Sequence, residues 1–181
     1  MWALSGLLLT IASTFVQPSL LLPSSNNSNS LAISSISVTM QIGAVLLTGC
    51  LGGRNAAFLS QLAYIILGLS GFGVFYQGGG LSYLKSPAFG YLLGFLPGGW
   101  LCGFLAFLRP VSLGRMAISC FGGLIAIHLV GIIYLVAIQI PNFAMIQILI
   151  WQYSVQVLWG QFLVVCATIV IATVSRKILF Y

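Results

Sequence analysis

The chain has 181 residues, 60% of them hydrophobic and only 3% charged, with a net charge of +6. A soluble domain carries about a quarter charged residues, so this composition excludes a water-compatible surface and specifies an integral membrane protein with no soluble domain. There is no Asp and no Glu, which removes carboxylate acid–base pairs, Ser/His/Asp triads, carboxylate proton relays and side-chain cages for Ca²⁺ or Mg²⁺.

A helix needs about 20 residues to cross the hydrocarbon core. Apolar stretches at residues 2–22, 38–53, 55–76, 88–108, 116–138 and 157–175 predict an all-α bundle of six transmembrane helices, one domain over residues 1–181. The first stretch has no basic leader and no small-x-small cleavage site, so it reads as a retained helix. The second is short and interrupted by Gly43, Gly49, Gly52 and Gly53, which suits a tilted or shielded span. Residues 23–35 (PSSNNSNSLAISS) are polar, uncharged and turn-rich, and residues 139–145 (QIPNFAM) form a second turn. Residues 146–158 either extend the last helix or lie as a short interfacial helix, with Trp151, Tyr153 and Trp159 near the headgroups.

The basic residues are scattered singly between apolar runs, which signals topology and argues against a nucleic-acid patch. With both termini cytoplasmic, Arg54, Arg109, Arg115, Arg176 and Lys177 fall inside and Lys85 alone falls outside, as the positive-inside rule requires. Cys50, Cys102, Cys120 and Cys166 make no C-x-x-C pair; they read as small buried hydrophobes, with no metal site and no disulfide framework. The recurring glycines of residues 68–73, 94–103 and 122–131 read as close helix packing.

Two features stand apart from that apolar background. Gln77-Gly78-Gly79-Gly80, followed by Lys85 and Pro87, places the most irregular backbone at one mouth of the bundle. Such backbone is tolerated at a membrane where it is buried in protein or lines a watery cavity; the run is either a plain flexible turn or the cap of a small-molecule site, and it lacks the pattern of a phosphate loop. Polar residues within spans are Gln41, Gln61, Tyr64, Tyr91, His128, Tyr134 and Gln161, which bond across helices or to a ligand. His128 has no second histidine or carboxylate with which to hold a metal and reads as a hydrogen-bonded core residue. Lys85 is either solvated, snorkelling, or paired with an anionic ligand. No base–orienter constellation can be drawn without carboxylates, so no enzyme, cofactor or metal is expected.

The run GGRNAAFLSQLAYIILGLSGFGVFYQGGGLSYLKSPAFGYLLGF, residues 52–95, resembles the central signature of the BioY family, the biotin-binding substrate subunits of energy-coupling-factor (ECF) vitamin importers. The glycine-arginine turn, the L-G-x-x-G-x-x-V-F end of a small-residue span, the Gly-rich loop and P-x-x-G-Y-L-x-G-F occur in order, and VTMQIGAVLLTGCLG before them is also similar. The resemblance covers residues 38–108, and the rest by topology. It implies six helices, a bacterial inner-membrane location, biotin as ligand, and an ECF coupling subunit with ATPase subunits as partners. It implies a site near the outer face built from Gln77, Gly78, Gly79 and Gly80, with Gln61, Tyr64 and Tyr91 in its wall. The family's P-G-D-x-x-K run is matched by residues 158–164, where Gln161 stands at the Asp position and Val164 at the Lys position. Gln161 can still bond a ureido group, whereas Val164 cannot meet a carboxylate, which leaves Lys85 or His128 for that end of the ligand. The departure also leaves open a changed vitamin specificity, or a structural subunit without a ligand. Gly6 and Thr10 stand in for the small-residue motif by which such subunits dock on their coupling partner.

Overall fold

The computed structural model describes residues 1–16, 19–23, 31–35, 40–75, 78–140 and 142–179, with side chains described outside 19–23 and 31–35. Helices dominate: α1 (Trp2–Thr14), α2 (Gln41–Leu69), α3 (Pro87–Phe107), α4 (Leu113–Gln139), α5 (Phe143–Ile150) and α6 (Leu158–Leu179). A short hairpin lies between α1 and α2, with β1 (Ser19–Pro23) antiparallel to β2 (Leu31–Ser35) and Leu21 opposite Ile33.

Two expectations need correction. The span expected at 2–22 is helical only to Thr14, and its remainder includes β1. The sequence reason is Pro18, which lacks the N–H a continuing helix needs. The fold is therefore helical with one added hairpin rather than purely α. The span expected at 55–76 ends at Leu69, because Gly71 takes a φ of 94° and turns the chain back. Of the two alternatives for residues 146–158 the structure takes the first: the stretch extends the last helix, α5 running through a π-type turn, Trp151–Val155, into α6, so that Phe143–Leu179 is one helical run. The expected spans 88–108 and 116–138 lie within a residue or a few of α3 and α4. Both helices start on a serine cap, with Ser86 accepting from the Ala88 N–H and Ser112 from the Arg115 N–H.

Four described segments are long and apolar enough to cross a membrane, namely α2, α3, α4 and the run Phe143–Leu179; the chain is a membrane protein. Yet α2 is not straight. Gly53 sits at φ 80° and ψ 176°, a conformation that glycine alone adopts at no steric cost. Val45 and Ala57 both lie against Gly99, and Thr48 and Ser60 both flank Gly6. Residues twelve apart in a straight helix are about 18 Å apart, so α2 reverses at Gly53 into halves 41–52 and 54–69. Gly6 and Thr10 turn inward against the two halves: Gly6 packs on Thr48, and Thr10 Oγ1 accepts from Gln61 Nε2 at 3.0 Å. Neither is on the outward face of α1, where Leu4 and Leu8 are exposed instead.

The core is organised around α3. On one side, a Cβ on Gly94 would lie 2.6 Å from the Ile127 carbonyl oxygen, and one on Gly98 would lie 2.9 Å from that of Gly123, both in α4. On the other side, a Cβ on Gly49 would meet the Gly99 carbonyl at 2.8 Å, and one on Gly103 would meet the Arg54 backbone nitrogen at 2.5 Å. Backbone therefore packs on backbone along both faces of α3, which only the absence of side chains allows.

The basic residues separate by end. Gly103 touches Arg54, and Arg176 donates from Nη1 to the Ala106 carbonyl at 2.8 Å and stacks over the Phe107 ring at 4.0 Å. Arg109 follows α3 directly, Arg115 lies in the first turn of α4 just beyond, and Lys177 follows Arg176. All five thus cluster at the C-terminal end of α3. Lys85 sits just before its N-terminal end, roughly 30 Å away along a 21-residue helix.

Gly94→Ala is expected to destabilise the bundle by about 1–3 kcal/mol, because the added methyl meets backbone that cannot rotate away. Gly114→Ala, where nothing lies within 4 Å, is expected to be neutral or stabilising by up to about 1 kcal/mol. Thermal unfolding of the two variants in detergent checks the opposite signs.

Candidate binding site

The irregular segment between α2 and α3 is tightly packed. Phe75 and Gly78 exchange both backbone hydrogen bonds at 3.0 Å, and the Gly80 N–H donates to the Gly68 carbonyl at 2.7 Å. Gly78 and Gly80 have φ of 105° and 97°, which disfavours any side chain there. A Cβ on Gly79 would collide with the Phe72 and Gly68 carbonyls, and one on Gly68 would enter the Phe75 ring. The glycines thus let the loop lie directly on the end of α2.

An aromatic row supports it: Tyr64 meets Phe75 with ring centroids 5.3 Å apart, Phe75 meets Tyr83 at 4.8 Å, Tyr83 meets Phe89 at 6.4 Å and Phe89 meets Tyr134 at 5.7 Å. Two hydroxyls pin the loop at its flanks. Tyr64 donates to the Val74 carbonyl at 3.0 Å and Tyr134 to the Leu84 carbonyl at 2.6 Å. Burial raises the Tyr83 phenol above its ordinary pKa, so it stays neutral over the working pH range.

Four polar side chains from α3, α4, the π-type turn and α6 meet one another. Tyr91 Oη lies 2.7 Å from Ser154 Oγ, His128 Nδ1 lies 3.2 Å from the same oxygen, and His128 Nε2 lies 2.6 Å from Gln161 Oε1. The directions follow from chemistry. A glutamine oxygen only accepts, so Nε2 carries the ring proton. In the neutral imidazole Nδ1 then accepts from the Ser154 hydroxyl, whose oxygen accepts from Tyr91. The row is polarised from Tyr91 to Gln161. Among the described residues the Gln161 amide nitrogen has no protein partner, which leaves its two N–H donors for a ligand oxygen. Tyr153 stacks on Tyr91 at 6.1 Å, with ring planes 21° apart, and His128 meets the Tyr91 ring edge-on at 5.6 Å. The π-type turn brings Ser154 into the row; such turns occur frequently at functional sites.

Of the residues expected to form a site, Tyr91 and Gln161 come together in this row and His128 joins them. Gly78, Gly79 and Gly80 form the loop, whereas Gln77 lies outside the described residues. Gln61 and Tyr64 are fully buried on the other side of the bundle: Gln61 bonds Thr10 and Ser60, and Tyr64 bonds Thr14 at 3.2 Å. They support α1 and the loop and do not join the row. Lys85 is exposed at the end of the short 3₁₀ turn Leu81–Lys85. Val164 is buried against Gly43. Ser154 was not foreseen, since one serine in an apolar stretch of unsettled structure gives no signal of its direction. Two surface hollows, one along Phe143, Ile146 and Trp151 and one between Asn55, Phe58, Pro97 and Trp100, are apolar and hold none of these residues.

Comparison with known proteins adds four findings. A probable biotin transporter BioY of Lysinibacillus sphaericus is 40% identical over 104 residues, covering 57% of this chain but only 49% of that relative. An uncharacterised 21.2 kDa protein of Cyanophora paradoxa is 26% identical over 178 residues, covering 98% of this chain and 94% of the other. The crystal structure of the S-component for biotin from an ECF-type ABC transporter superposes with a TM-score of 0.72 at 22% identity, over 97% of this chain and 89% of that one, which establishes a shared fold. The model of the BioY family matches residues 7–179, and the chain belongs to that family.

Proposed function

We propose that this chain is the substrate-binding subunit of a biotin importer. It captures biotin between the glycine loop and the row of Tyr91, Ser154, His128 and Gln161, and passes it on chemically unchanged. The observation that carries this reading is the Gln161 amide, held by its oxygen on His128 with neither N–H group paired among the described residues. A ureido carbonyl is the neutral acceptor those donors suit, and the ureido N–H groups need carbonyls of the kind a glycine loop offers. Tyr91 lies about 6 Å along α3 from the loop, within reach of a bicyclic ligand. The BioY relatives are named as biotin transporters and the superposed structure as a biotin S-component, which supports the same ligand here.

The remaining features fit that reading. Five basic residues at one end of the bundle and Lys85 at the other support a single six-span domain with both termini cytoplasmic, counting the halves of α2 separately. The glycine loop then faces outward, in a bacterial plasma membrane. The chain has no phosphate-binding loop, so ATP energy would come from ECF coupling and ATPase subunits. With Val164 apolar and buried, Lys85 is the cation placed to meet the carboxylate of the ligand.

Saturable binding of tritiated biotin to the detergent-purified chain, without metal or nucleotide, is the expected outcome; its absence in folded protein overturns the proposal. Gln161→Ala is expected to weaken binding about five- to tenfold, a lost hydrogen bond being worth roughly 1–1.5 kcal/mol and each 1.4 kcal/mol a factor of ten. Lys85→Ala is expected to weaken biotin more than its neutral methyl ester. Equal loss for both ligands moves the carboxylate contact to the His128 side.

A further inference from the structure

Three of the four cysteines converge. Cys50 in α2, Cys102 in α3 and Cys120 in α4 are all fully buried, with Cys50 Sγ 3.5 Å from Cys102 Sγ and 3.6 Å from Cys120 Sγ. All three sulfurs lie within 4.8 Å of one another. Cysteines in a core commonly act as small hydrophobes, but that role does not require three helices to aim their sulfurs at one point. We propose that Cys50, Cys102 and Cys120 form a three-coordinate thiolate site for a soft monovalent metal ion of cuprous type. The site is separate from the biotin site and does not depend on it.

Donor chemistry selects the ion. Thiolates favour cuprous ion, zinc and iron–sulfur clusters. Structural zinc is held by four ligands and iron–sulfur clusters commonly by four cysteines. The chain has no carboxylate side chain, its one histidine is committed to Ser154 and Gln161, and Cys166 is not in the group. Three sulfurs alone suit a d¹⁰ ion that accepts trigonal coordination. Metal–sulfur bonds of about 2.3 Å in a plane place the sulfurs about 4.0 Å apart, so they need to spread by roughly half an ångström. The frame around them is stiff: Gly49 packs on the Gly99 carbonyl, and a Cβ on Gly123 would lie 3.0 Å from that of Cys102.

Location favours the charge. Each ligating thiol gives up its proton, and three thiolates with one monovalent ion carry −2. The cluster lies at the basic end of the bundle: Cys50 precedes the Gly53 reversal by three residues, Gly103 touches Arg54, and Arg176 sits on the Ala106 carbonyl one turn beyond Cys102. No acidic side chain opposes this field.

The test uses the reduced, detergent-purified chain under anaerobic conditions, titrated with cuprous ion against a chromogenic cuprous chelator. One equivalent retained per chain is expected, with unfolding shifted to higher temperature. Cys102→Ser is expected to weaken retention at least tenfold and abolish the shift, while Cys166→Ser leaves both unchanged. X-ray absorption of the copper-loaded wild type, which needs no variant, is expected to show three sulfur neighbours at about 2.3 Å. No retained copper in folded wild type, equal retention by Cys102→Ser, or a nitrogen/oxygen shell about the metal overturns the proposal.

Discussion

Direct backbone-to-backbone contact along α3 is the constraint on which the bundle depends. Lipid tails are as apolar as leucine, so helices in a membrane gain little from hiding hydrophobic surface from one another. What remains is dispersion at short range, and it rewards close approach. Gly94 and Gly98 let α4 approach one face of α3, while Gly99 and Gly103 let α2 approach the other. Once α3 is clasped in this way, the positions of Tyr91, His128 and the three converging cysteines follow from their places along the helices.

The same clasp makes the two ends of the bundle different in kind. One end is built by reversal and charge, with Gly53 folding α2 over and Arg54, Arg109, Arg115, Arg176 and Lys177 gathered nearby. The other is built by aromatic rings and glycine turns, with a single lysine. Polar side chains divide likewise. Gln61 and Tyr64 are used to hold α1 and the loop, whereas Gln161 is held by its oxygen and its amide nitrogen has no partner among the described residues. A buried polar group can be structural or receptive, and its unused valences decide which.

Much of this was legible in the residues. The lengths of α3 and α4 follow from apolar runs bounded by Pro87, Ser112 and a polar turn, because caps and breakers are local chemistry. The basic end follows from charge placement. The glycine loop was recognisable as special, though its glycines have packing duties at Gly79 and conformational ones at Gly78 and Gly80 that composition could not separate. Four things were not legible. The hairpin between α1 and α2 pairs residues across a gap that no periodicity marks. The inward turn of Gly6 and Thr10 depends on where α2 reverses. The meeting of Ser154 with Tyr91 and His128 depends on a π-type turn, whose extra residue rotates the helix face and defeats a 3.6-residue count. Convergence of Cys50, Cys102 and Cys120 is likewise a product of helix packing, because their spacing along the chain is irregular.

The absence of Asp and Glu has a consequence for how the bundle sits in its bilayer. Its cations can form no ion pairs with side-chain carboxylates of the same chain. Arg54 lies 5.9 Å from the Trp100 ring and 5.7 Å from that of Phe104, and Arg176 rests on a carbonyl and on Phe107, but rings and carbonyls supply no net negative charge. No side-chain carboxylate of this chain balances the basic end, and an anionic headgroup layer is the environment that such an end suits. At about 1 kcal/mol for each basic residue near an anionic surface, five of them give this end of the bundle an attraction to anionic leaflets that carboxylates within the chain would have cancelled.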